Sequence, residues 1–140
     1  MAMALKLIEQ DAATLRRAYE ERKLEYDALR SVGRWSGAIL LAGTLVELAL
    51  KVVICKRLEV SRLPTIFQTH DLDLLLHCSG QQIRFGYGTA LQKSLSTIQD
   101  QWTMALRYEG PVKTKRDSDD CDEALFDSSH GLLTLLSQYF

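Results

Sequence analysis

At 140 residues, 46% hydrophobic, 25% charged and with a net charge of −1, the chain matches a single domain, residues 1–140, that can bury one core without staples. So balanced a charge gives no bulk signature of a nucleic-acid binder and leaves only local basic patches to consider. Three widely spaced cysteines, Cys55, Cys78 and Cys121, contain no Cys-x-x-Cys pair, which argues against a disulfide framework or a zinc finger and for a reducing, cytoplasmic setting.

The opening MAMALKLIEQD lacks the basic n-region and small-residue cleavage site of a signal peptide. From Leu5 a three-four alternation runs through Leu5, Ile8, Ala12, Leu15, Tyr19, Arg22, Tyr26 and Leu29. This spacing predicts a first helix over about residues 2–31, ended by Gly33 as a left-handed cap. A second helix follows from residue 34 or 36 to 58, apolar on nearly every side, as the most buried member of a bundle should be. Its stretch over residues 38–55 approaches the length of a membrane span. Glu47 and Lys51 sit near the centre, where a charge costs about 2.5–3.5 kcal/mol on insertion scales, so a buried bundle helix is expected and no membrane partner.

Pro64 blocks continuation. A short third helix is predicted over about residues 69–79, then a glycine-punctuated loop, GQQIRFGYG. A fourth covers about residues 89–109, with Leu91, Leu95, Ile98, Trp102 and Ala105 inward. Gly110-Pro111 opens the polar loop VKTKRDSDD, the expected mobile segment. A last helix is predicted over about residues 119–139, with Leu125, Leu132, Leu136 and Tyr139 inward. The expected fold is all-α, four long helices and one short one in an up-and-down bundle.

Two polar features stand out. In FQTHDLDLLLH, Thr69 reads as an N-cap, with Asp71 and Asp73 in the first turn favouring the helix dipole. His70, Asp73 and His77 share a face but lack ligand spacing for a metal site, and none is expected. In VELALK, Glu47 and Lys51 stand four apart in the favourable order. If buried they need partners, and His70 is a natural one for Glu47; equally, both fit a solvent-facing helix margin.

In order, LVELALKVVI, THDLDLLL and ALRYEG resemble the HEPN family, the nucleotide-binding domain of higher eukaryotes and prokaryotes. The positions carrying the likeness are Glu47, Lys51, His70, Asp71, Leu72, Arg107 and Tyr108, within residues 35–140. The resemblance implies a helical bundle that pairs as a homodimer. It also implies binding to nucleotide or RNA or to a nucleotidyltransferase-like protein partner, in a toxin-antitoxin or defence setting, with no cofactor.

Many members of that family look like ribonucleases with an Arg four to six residues before a His on the last helix. Such chemistry needs an acid-base group beside a cation. Here the residues four to seven before His130 are Phe126, Leu125, Ala124 and Glu123, none basic, and His130 reads as a partly exposed helix residue. No nucleophile elbow or Walker loop is present, and Gly86 and Gly88 follow no strand. A non-catalytic binding module is therefore the leading expectation. Its nucleotide or RNA contacts would come from Lys51, His70, Arg107, Tyr108, Lys113, Lys115 and Arg116, joined by Lys56, Arg57 and Arg62 if the bundle brings the two basic clusters together. The alternatives are a divergent endoribonuclease using His70 or His130, and a ligand-free structural or interaction subunit, for which the outer face of the first helix is the best support.

Overall fold

The computed structural model describes residues 10–140. Among them the regular elements are all helical: α1 (Ala12–Ser31), α2 (Trp35–Leu58), α3 (Leu72–Ser79), α4 (Ala90–Gln101), α5 (Lys115–Phe126) and α6 (Leu132–Leu136), with short 3₁₀ turns between them. The one β feature among the described residues is an isolated antiparallel bridge between Asp11 and Arg62, which ties the entry of α1 to the chain leaving α2.

α2 is the hub. It packs against α1, α3, α4, α5 and α6. Fifteen of its residues, from Ala38 to Cys55, are buried, because its apolar side chains run round the whole circumference. By length and composition it is apolar enough to cross a membrane, and 78% of its most apolar stretch is covered by the rest of the chain. α1 keeps the expected stripe, with Leu15, Tyr19 and Tyr26 buried. It is capped by Asp11, whose carboxylate accepts from the Ala13 and Thr14 amides; the predicted inward positions Leu5 and Ile8 lie outside the described residues. A polar clamp joins α1 to α5: Tyr26 donates to Asp122 at 2.8 Å, and Arg30 reaches Ser118 at 2.7 Å and Asp119 at 3.1 Å.

Several boundaries differ from the periodicity, each for a local reason, the first being α1, which begins at Ala12 after the Asp11 cap. The Thr69 hydroxyl accepts from the Asp71 amide, and Asp71 itself is the N-cap of α3, accepting from Leu74. The fourth helix stops at Gln101 instead of about 109, and a 3₁₀ helix, Met104–Tyr108, takes over. Trp102 has turned onto α2, so Leu106 is buried where Ala105 was expected. The polar run after Pro111 is helical from Lys115, started by a capping box in which Thr114 and Asp117 satisfy each other's backbone amides. The last helix is two, α5 and α6. Between them the Asp127 carboxylate accepts from the Ser129 and His130 amides, and Gly131 packs so tightly that an added Cβ would meet the Asp127 backbone at 2.6 Å.

Candidate functional site

Glu47 and Lys51 project from the middle of α2 into the protein, with side chains only 10% and 3% exposed. Lys51 Nζ donates to Glu47 Oε2 at 3.0 Å. The other carboxylate oxygen, Oε1, is bonded to Nδ1 of His70, one residue before the cap of α3. An ionised carboxylate only accepts, so Nδ1 carries the proton and the lone pair of the neutral ring lies on Nε2. The buried pair and the more exposed histidine thus form one chain, Lys51 to Glu47 to His70, running from the core to the surface. Burial without such partners would cost several kcal/mol (about 3–5 for a broken buried pair), so the chain is what lets α2 carry charge at all.

His70 meets Trp102 edge-on, ring centroids 6.5 Å apart at 85°. Trp102 can stand there because position 43 is glycine: a Cβ at Gly43 would lie 1.9 Å from Trp102 Cδ2. Together His70, Trp102, Thr103, Met104 and Arg107 line a cavity of about 160 Å³.

Arg107 also lines a second groove, of about 500 Å³, with Arg34, Trp35, Ser36, Glu109 and Lys113 among its walls. The Lys113 amide donates to Ser36 Oγ at 3.1 Å, pinning the segment after Pro111 to the start of α2. Arg34, Arg107 and Lys113 form no ion pair among the described residues, while Glu109 is the lone acid in the wall. Three cations, one acid and a half-buried indole in a groove of this size suit a phosphate-bearing aromatic ligand. Tyr108, 86% exposed, stands beside Arg107.

Other expected contacts fall elsewhere. Lys51 is buried and spent on Glu47, so it offers no surface charge. Lys115 pairs with Asp119 at 2.8 Å, and Arg116 is exposed in the first turn of α5; neither lines the two cavities at Arg107. The bundle does not bring the two basic clusters together. Lys56 and Arg57 occupy the opposite end of α2 from Ser36, about 30 Å away at 1.5 Å per residue. There Arg57 donates to the Cys78 carbonyl at 2.8 Å. His70 and Asp73 turn to different neighbours, His70 to Glu47 and Asp73 to Gln99 at 2.9 Å. His130 lies outside any helix, in the turn between α5 and α6.

Arg34, Trp35 and the role of Trp102 were not marked by sequence reasoning. Gly43, a glycine in the middle of α2, was the available sign of a close approach. No family model matches the chain, and neither curated proteins nor solved structures yield a match.

Proposed function

We propose that the chain is a HEPN-type helical module that binds a nucleotide or single-stranded RNA along the Met104–Tyr108 segment, without the family's ribonuclease pair. The observation that carries this reading is the position of Arg107, which lines both the His70 cavity and the cation-rich groove. A phosphate between Arg107, Arg34 and Lys113 leaves a base free to stack on Trp35 or Tyr108. Exposed Met104 and Tyr108, with Val112 just beyond, give this stretch apolar surface, which suits pairing of two copies next to the ligand, as the family resemblance implies.

Fluorescence anisotropy with a labelled short RNA, competed by ATP and GTP, tests the reading. Arg107→Ala should weaken binding about 10- to 100-fold, the equivalent of roughly 1.5–3 kcal/mol for a charge-assisted hydrogen bond. Affinity should fall as salt rises. Unchanged affinity in Arg107→Ala contradicts the site. Silence with all three ligands would leave an interaction subunit.

One observation favours a second reading, a divergent endoribonuclease. His70 lines a cavity with Arg107 and its Nε2 makes no bond among the described residues, an acid-base group beside a cation. RNA cleavage lost in His70→Ala would support it. Cleavage surviving His70→Ala combined with His130→Ala would eliminate both bases.

A further inference from the structure

His130, far in role from the groove above, sits in a constellation of its own. Ser94, on α4 and only 4% exposed, donates its hydroxyl proton to the His130 carbonyl at 2.8 Å. A carbonyl cannot donate, and the hydroxyl has one proton. The second contact, Ser94 Oγ to His130 Nδ1 at 3.2 Å, is therefore made by an Nδ1–H donating to Oγ. That fixes the tautomer and leaves the lone pair of the neutral ring on Nε2.

Nε2 faces two carboxylates, 3.3 Å from Asp127 Oδ1 and 4.0 Å from Glu123 Oε1. A lone pair and two anions at such range repel unless a positive species lies between them. Both acids also stand at the negative end of the α5 dipole, where cations are favoured, and the last turn of α5 holds no basic residue. Lys93 lines the adjoining cavity of about 290 Å³ with Asp120, Glu123 and Ser94, yet it forms no ion pair with these acids among the described residues.

We propose that His130 Nε2 and one oxygen each from Glu123 and Asp127 bind a divalent first-row transition ion, with water completing its shell. The three ligand atoms already lie within 4.8 Å of one another. Around tetrahedral zinc, ligand atoms about 2.1 Å from the metal stand roughly 3.4 Å apart. The Asp127 carboxylate already stands at that range, its Oδ1 3.3 Å from Nε2, and Glu123, whose side chain is 66% exposed, is free to close the remainder. The Ser129 amide, the Ser129 hydroxyl and the His130 amide all bond to Asp127 Oδ1 and hold the carboxylate in place, so Oδ2, which makes no bond among the described residues, is the oxygen that ligates. Ser94 acts as the outer partner that orients the imidazole, the arrangement metal-binding histidines commonly show. A mixed nitrogen and carboxylate set suits zinc, cobalt or manganese better than calcium.

Zn²⁺ and Co²⁺, each added alone to the full chain, test this by calorimetry and by NMR of the histidine ring resonances. One ion should bind per chain at micromolar concentration, and Co²⁺ should shift or broaden the His130 ring signals while sparing His77. His130→Gln should abolish binding, and Ser94→Ala should weaken it by about 10-fold or more. Asp127→Asn keeps an oxygen acceptor for the turn, so it should retain the fold, checked by circular dichroism, and still lose affinity. Binding absent at millimolar ion, unaffected by His130→Gln or Asp127→Asn, or centred on His77 would overturn the proposal. An imidazolium alone between the carboxylates would show itself as ring signals that respond to pH and not to metal, and would overturn it as well.

Discussion

Lys51 carries its charge into the core because Glu47 lies one turn earlier and offers an oxygen at 3.0 Å. Lys51→Met keeps the volume and removes the charge, which leaves Glu47 buried with the His70 Nδ1–H as its remaining hydrogen-bond donor. We expect a loss of about 3 kcal/mol, read from urea unfolding, because an uncompensated buried carboxylate is costly. RNA affinity in the folded fraction should change little, since Lys51 has no surface. Gly43 works by absence. Gly43→Ala places a methyl inside the Trp102 ring position, and the indole must leave α2. Destabilisation of about 1–3 kcal/mol and a red-shifted tryptophan emission are the expected results. The polar pair was half legible in the sequence: two charges four apart on an apolar helix fitted burial with His70 as partner and a solvent-facing margin equally, and the structure buries them. The Trp102 contact was not, because no local spacing states which distant residue a glycine makes room for.

At the scale of elements, boundaries follow caps more than periodicity. The start of α5 left a trace in Thr114-Lys-Arg-Asp117, a hydroxyl and a carboxylate three apart, but the run of charges around it reads as a mobile loop and put the expected start at about 119. Thr114→Ala removes the hydroxyl that accepts from the Asp117 amide and should cost about 1 kcal/mol in a thermal or urea melt. The end of α4 could not be read the same way. Its apolar spacing continues through residue 105, and the helix stops at Gln101 because Trp102 is seated on α2. The division of α5 from α6 left a visible trace in DSSHG, where Asp127 folds its carboxylate back onto two amides and Gly131 fits a space closed to any side chain.

Over the whole molecule, stability has an acid and an alkaline limit. The Tyr19 hydroxyl is pushed up to about 12, by burial first and by Glu20 second, and Tyr26 is raised further by burial and then by its hydrogen bond to Asp122. A tyrosine whose folded pKa exceeds its unfolded value of 10.0 contributes stability that is full below pH 10 and is lost as pH rises through the folded value. Alkaline unfolding should therefore set in above about pH 10, with the Tyr19 and Tyr26 tyrosinate absorbance appearing together with loss of helix. In the other direction, Asp117 is held below its ordinary 3.8 by the Thr114 amide and hydroxyl, and Asp119 by Lys115 and Arg30. Their contribution is present above that value and lost as pH falls through the depressed one, so helicity monitored by circular dichroism should decline below about pH 4.

The all-helical class and the central place of α2 were legible because a helix apolar all round must be enclosed. The arrangement of charge was not: chain order put Lys56 and Arg57 in the same frame as Arg107 and Lys113, and α2 holds them at opposite ends. What brings Arg107 between two cavities is a tertiary fact, and the proposed ligand site depends on it. The chain's two tryptophans supply a direct probe, since Trp35 lines the cation-rich groove and Trp102 the His70 cavity. In a ¹⁵N-labelled sample titrated with a short single-stranded RNA, the account predicts that both indole N–H resonances move with one common affinity, and that Arg107→Ala weakens both shifts together. Saturable binding that leaves both indoles unmoved would contradict it.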